Sequence, residues 1–192
     1  MKRHKNMCPS KRTCQKVPTD FLEMVLGNCC EYLSLRRSKL KGSLSFQQES
    51  ELKYLDLSFC KSSIRTFDEI IKSCHSLQKL SLANLPLTVD RINTICSQNS
   101  KTLQVLDLSY GQGLSLTSIQ NIVAKCVELK EINFADTMLS QDSVNFLVKN
   151  LTSKIEKVNL SGLEIMDEHI ELLLNKCKQI KVTFMRPSAE LT

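Results

Sequence analysis

LQVLDLS, residues 103–109, sets Leu106 and Leu108 one residue apart, with Val105, Asp107 and Ser109 on the opposite phase. Period-2 alternation of this kind is the pattern of a strand with one buried face. The stretch is not alone. YLSL (32–35), LKYLDLS (52–58), LQKLSLA (77–83), LKEINFA (129–135), IEKVNLS (155–161) and VTF (182–184) repeat it. The first apolar residue of each pair is Leu33, Leu55, Leu80, Leu106, Ile132, Val158 and Val182, at spacings of 22, 25, 26, 26, 26 and 24. The second is Leu35, Leu57, Leu82, Leu108, Phe134, Leu160 and Phe184. All fourteen positions are apolar in a chain whose hydrophobic content is 42%, so the period is not an accident of composition.

A second motif lies between these strands at the same period. It reads apolar-apolar-x-x-Cys at Val25-Leu26…Cys29, Ile70-Ile71…Cys74, Ile122-Val123…Cys126 and Leu173-Leu174…Cys177, with Leu147-Val148…Leu151 as a variant. With Phe67, Ile119 and Ile170 three residues further back, the spacing makes one apolar helical face. Thr66 with Glu69, and Thr117 with Gln120, are read as capping boxes that open two of the helices.

One short strand and one helix cannot bury their apolar faces alone, but stacked copies can. The expected fold is therefore an α/β solenoid, a right-handed superhelix of about six to seven repeats over residues 20–186. Its strands form a parallel sheet on the concave side and its helices lie outside. The helix-end Cys is small and apolar and suits the wedge between repeats. Residues 1–19 are expected to be a basic, disordered tail and 187–192 a C-terminal tail. Residues 1–16 hold Lys2, Arg3, Lys5, Lys11, Arg12 and Lys16 without an acid, which accounts for the whole net charge of +6. The balanced body speaks against nucleic acid as a partner, which needs a clustered positive face. No stretch has the length and apolarity of a membrane span, so no membrane partner is expected. Nine Cys without an apolar leader point to reduced thiols, and to the nucleus or cytoplasm. The KRHK and KR runs within 2–12 match a nuclear-import pattern, and a solvated tail explains them equally well.

The repeat length near 26 and the helix-end Cys resemble the cysteine-containing class of leucine-rich repeats typical of F-box proteins, the substrate receptors of cullin-based (SCF-type) ubiquitin ligases. LSLANLPLTVDRINTICSQNSKTLQVLDLSYGQG (80–113) and Phe184-x-Arg186-Pro187 carry the likeness most closely. The resemblance covers about residues 20–187. It implies a non-catalytic receptor that holds a cell-cycle target for ubiquitin transfer. It also implies a small cyclin-kinase accessory protein at the C-terminal repeats, and a C-terminal tail folded back on the concave face. No F-box is identified. Val17-Pro18-Thr19-Asp20-Phe21-Leu22 is similar to an F-box opening, but the register of Val25-Leu26…Cys29 makes it the first repeat helix. The ligase adaptor is thus expected as a partner only through an F-box outside this chain, and an N-terminal domain covering the first repeat is the simplest cap. The Asn or Cys usual three residues after each strand occurs only as Cys60, with Leu85, Gly111, Thr137 and Leu163 in the other places.

The concave strip is the expected binding site for a protein substrate. It comprises Tyr54, Asp56 and Ser58; Lys79, Ser81 and Ala83; Val105, Asp107 and Ser109; Glu131, Asn133 and Ala135; and Lys157, Asn159 and Ser161. A scaffold or inhibitor outside any ligase would use the same face. No cofactor and no catalytic residue is expected. Gly111-x-Gly113 mimics a dinucleotide loop, but the third Gly is replaced by Leu116 and a turn is the simpler reading. Cys74 and His75 are neighbours on a helix and cannot face each other. His4, Cys8 and Cys14 are one ligand short of a zinc site. Asp167, Glu168, His169 and Glu171 fit the positive end of a helix. On this reading Leu106→Asp unfolds the protein, whereas Asp107→Lys leaves the fold intact.

Overall fold

The structure, a computed structural model, describes residues 16–27, 30–42, 44, 49–177 and 180–184. Its elements run β1 (Lys16–Val17), α1 (Thr19–Leu26), β2 (Tyr32–Ser34), β3 (Lys39–Leu40), β4 (Tyr54–Asp56), α2 (Ile64–Ser73), β5 (Lys79–Ser81) and α3 (Val89–Gln98). They continue through β6 (Val105–Asp107), α4 (Leu116–Lys125), β7 (Glu131–Asn133), α5 (Gln141–Asn150), β8 (Lys157–Asn159), α6 (Asp167–Lys176) and β9 (Lys181–Thr183). Seven strands form one parallel sheet in the order β2-β4-β5-β6-β7-β8-β9, and β1 pairs with β3 in a second, two-stranded one. The helices form a layer in which α2 through α6 pack in succession. The chain is a leucine-rich-repeat solenoid.

The ladder is the expected one, residue for residue. Leu33, Leu55, Leu80, Leu106, Ile132, Val158 and Val182 are consecutive register partners across the sheet. The first six of them are buried, with Leu35, Leu57, Leu82, Leu108, Phe134 and Leu160 beside them. Burying a Leu-sized side chain contributes ~1.5–3 kcal/mol, so the twelve make the continuous core that no single repeat could. Phe184 is an exception to the inward phase: it is 41% exposed, and among the described residues no strand pairs beyond β9.

The helix starts lie upstream of those expected. Ser63, not Thr66, caps α2 by accepting the Thr66 N–H, and Ser115 caps α4 in a reciprocal box with Ser118. Serine at the preceding position reaches the third helical N–H with extended backbone, which Thr66 and Thr117, already helical, cannot adopt. The fold also begins before residue 20, since Lys16–Val17 is paired in β1 and α1 starts at Thr19. Leu22, Val25 and Leu26 of α1 are buried, which makes it the first repeat helix. At the opening, where the spacing is 22, the described residues between β2 and β4 hold the short strand β3 and no helix. In α6 the motif only half holds, for Cys177 is buried while Leu174 is exposed.

One repeat carries the helix-end motif in a form the cysteine pattern misses. Ile95-Cys96-x-x-Asn99 places Asn99, 1% exposed, in the cysteine slot. Its side chain accepts the Leu77 N–H at 2.8 Å and donates to the carbonyls of Cys74 at 3.2 Å and Ile95 at 3.1 Å. At the opposite end of α3, Arg91 is buried across the α2–α3 contact. It binds Asp68 at 2.6 Å and the Pro86 carbonyl at 2.6 Å, and its guanidinium lies over Phe67.

Candidate functional site

After β2 and after each of β4 to β8 the chain turns a corner through one residue of positive φ: Arg37, Phe59, Asn84, Tyr110, Asp136 and Gly162. The strand ladder runs on through the corners. Arg37, Phe59, Asn84, Tyr110 and Asp136 donate their N–H groups to the carbonyls of Ser58, Ala83, Ser109, Ala135 and Ser161 in the next repeat, at 2.8–2.9 Å. A bulky residue in this conformation costs ~1–2 kcal/mol. The fixed hydrogen bonds on both sides hold it there.

Those corners settle where the concave residues sit. The first row across the sheet, by register, is Tyr32, Tyr54, Lys79, Val105, Glu131, Lys157 and Lys181. It reaches solvent throughout. Tyr32 and Tyr54 stack at 4.1 Å with their planes 6° apart, and Lys157 pairs with Glu131 at 2.6 Å. Burial, and then the hydrogen bond to Tyr32, hold the Tyr54 hydroxyl well above the usual phenol range. Tyr32 and Lys181 belong to the row by the same phase rule, though the sequence reading stopped short of them.

The second and third rows form a floor rather than a free face. Asp56, Asp107, Asn133 and Asn159 each accept the N–H two residues on, at 2.9–3.1 Å, which clamps the corner. The floor is laced sideways as well: Ser34 donates to Asp56, Ser58 meets Ser81, and Ser81 donates to Asp107. Asp56, Ser58, Ala83, Ser109, Ala135 and Ser161 are buried, while Ser81, Asp107, Asn133 and Asn159 are half-buried. Alternation alone places these side chains on the concave side, but it does not show that the corner folds over them. The side-chain oxygens of the floor are used within the sheet, so most of the open chemistry lies in the first row and on the corner rim.

The remaining candidates fall into structural places. Gly111 is in a tight turn, where an added Cβ would lie 2.5 Å from Leu87 Cδ1 and 2.6 Å from the Leu108 carbonyl oxygen. Burial pushes the Cys74 thiol up to about 11, and its sulfur bonds the Ile70 carbonyl while His75 turns to Gln98. A thiol that stays protonated and enclosed is no nucleophile. His169 is buried in α6, accepting the Met166 N–H at Nδ1 and so donating from Nε2 to Asn145. The places three residues after the strands, Cys60, Leu85, Gly111, Thr137 and Leu163, are all buried. Among the described residues no group of His, Cys, Asp and Glu could hold a metal ion, and no helix is long and apolar enough to cross a membrane. His4, Cys8, Cys14, the basic run at 2–12 and the tail from 185 onward lie outside the described residues.

Comparison with family models agrees with this architecture. The family model of the SKP2 LRR domain matches residues 20–191. The stretch at 80–113 lies inside that match. Among solved structures, a chain in the structure of Chaetomium Mex67:Mtr2 subunits is similar at 20% identity and a TM-score of 0.37, over 50% of this chain and 62% of that one. This chain thus spans less than two thirds of that one.

Proposed function

The chain belongs to the family of SKP2-type leucine-rich-repeat domains, and from that premise we propose that it holds a protein substrate for an SCF-type ubiquitin ligase. A domain of this kind is a protein-binding module without catalysis of its own. The observation that carries the reading is the first concave row, a band of solvent-reaching side chains across seven strands above a floor that is already hydrogen-bonded. A rigid floor lowers the ordering cost of binding, and a row mixing stacked tyrosines, lysines and one glutamate suits a polar protein segment. Held there, a target lysine meets the ubiquitin-charged enzyme at high effective concentration. The target in this proposal is a cell-cycle protein in the nucleus or cytoplasm. A small cyclin-kinase accessory protein takes the C-terminal repeats. An F-box in the assembled ligase brings the adaptor.

The test is purification from cells of the full chain and of the Lys79→Glu/Lys157→Glu variant. Cullin-ligase subunits and a ubiquitylated protein should accompany the first, and the ubiquitylated protein should be lost from the second. Purifications free of ligase subunits, with a stable unrelated partner instead, would refute the ligase role.

A further inference from the structure

The two-stranded sheet gathers positive charge that the balanced composition conceals. Lys16 is the register partner of Lys39, and Lys39 bridges to Lys61 in parallel fashion. Three exposed lysines thus stand side by side on adjacent backbone strands, ~4.8 Å apart. Arg36 and Arg37, both exposed, lie 5.3 and 5.6 Å over the ring of Phe59 on the neighbouring corner. None of these five cations is in an ion pair with a described residue.

Like charges directly opposite each other across a ladder are destabilising. Holding Arg37 at φ 61° adds backbone strain where Gly or Asn would have little. We propose that this rim, formed by Lys16, Lys39, Lys61, Arg36, Arg37 and Phe59, docks a short acidic segment of a protein partner. The proposal is independent of the concave row.

The footprint argues for a peptide. From Lys16 to Lys61 is ~10 Å, the length of about three extended residues. Further along the rim the charge changes, because the corner residue two repeats beyond Phe59 is Tyr110, hydrogen-bonded to the exposed carboxylate of Asp136. A nucleic-acid backbone continuing that way would meet a like charge. The Phe59 ring is already taken by two guanidiniums and the tilted Tyr110 ring 6.2 Å away, which suits it poorly for stacking a base. Guanidiniums stacked on an aromatic ring keep their edges free for carboxylates.

The experiment is fluorescence anisotropy of the full chain with a labelled Glu/Ser decapeptide, at ~50 and ~300 mM salt, where screening differs strongly. A labelled 20-base-pair duplex and phosphatidylserine vesicles serve as competing probes. The peptide should bind, should weaken at the higher salt, and should lose on the order of tenfold in affinity with Lys39→Gln/Lys61→Gln. That variant should melt no lower than the parent, since it relieves repulsion, which separates lost binding from lost fold. Lys157→Glu on the concave row should leave peptide affinity unchanged. Equal peptide binding by the double variant, no peptide binding at all, or preference for the duplex or the vesicles would overturn the proposal.

Discussion

Ser81 donates its hydroxyl to the Asp107 carboxylate of the next repeat at 3.0 Å, while the other carboxylate oxygen accepts the N–H and hydroxyl of Ser109 at 3.0 and 2.7 Å. Asp107 is therefore a clamp on the corner as well as a concave residue. Asp107→Lys, expected to leave the fold intact, should on this geometry also lower its stability. The lysine removes three acceptor contacts and should cost ~2–4 kcal/mol in urea unfolding, by leaving partly buried donors unpaired. Asp107→Asn, which reproduces the arrangement at Asn133 and Asn159, should cost less than ~1 kcal/mol.

Leu106 marks the opposite phase of the same strand. It is 1% exposed and registers between Leu80 and Ile132. Leu106→Ala should lower stability by ~2–5 kcal/mol. Leu106→Asp should abolish the cooperative melt, since an unpaired buried charge finds no partner there. Circular dichroism during heating checks both.

Asn99 ties three backbone groups of two repeats. Asn99→Ala should cost ~2–4 kcal/mol, because the Leu77 N–H is left buried and unpaired. Asn99→Cys restores the residue type of the other repeats but not the bond to Leu77, and should fall between the two. Amide hydrogen exchange at Leu77 should accelerate in both variants.

Cys74 gives a pH signature. Its folded thiol is raised to about 11 from an ordinary value near 9.0, so the folded state keeps a proton that the unfolded state releases. The stabilisation is complete below pH 9 and is lost as pH rises through 11, by ~2–3 kcal/mol in all. Cys74→Ala should flatten the fall of Tm over that window relative to the parent, though it lowers Tm throughout by opening a cavity. An unchanged slope would mean that Cys74 does not titrate there.

The leucine ladder was legible to the residue because burial of a period-2 face leaves one register open. Cys74, Cys126 and Cys177 at the helix ends were legible because their spacing from the apolar pairs keeps them on one buried helical face, while Cys29 lies outside the described residues. Other features were not. Ser63 and Ser115 are caps because extended backbone precedes each helix, which the Thr-x-x-Glu and Thr-x-x-Gln spellings do not reveal. Asn99 fills the same slot by hydrogen bonding, which a pattern of small apolar residues does not reveal. The floor residues Asp56, Ser58 and Ser109 look exposed by alternation, and only the positive-φ corners at Phe59 and Tyr110 show how they are covered. Lys16 was assigned to a basic tail because its pairing with Lys39 depends on a two-residue ladder in the irregular opening, where no period operates.

The most direct test of the account is site-specific photocrosslinking in cells, with a photoreactive residue in place of Val105 on the concave row or of Gln120 on the exposed face of α4. The account requires a protein adduct from position 105 and none of the same mass from position 120, with the adducted protein accumulating when cullin ligases are inhibited. Adducts from position 120 alone, or an adducted protein whose level ignores ligase inhibition, would contradict it.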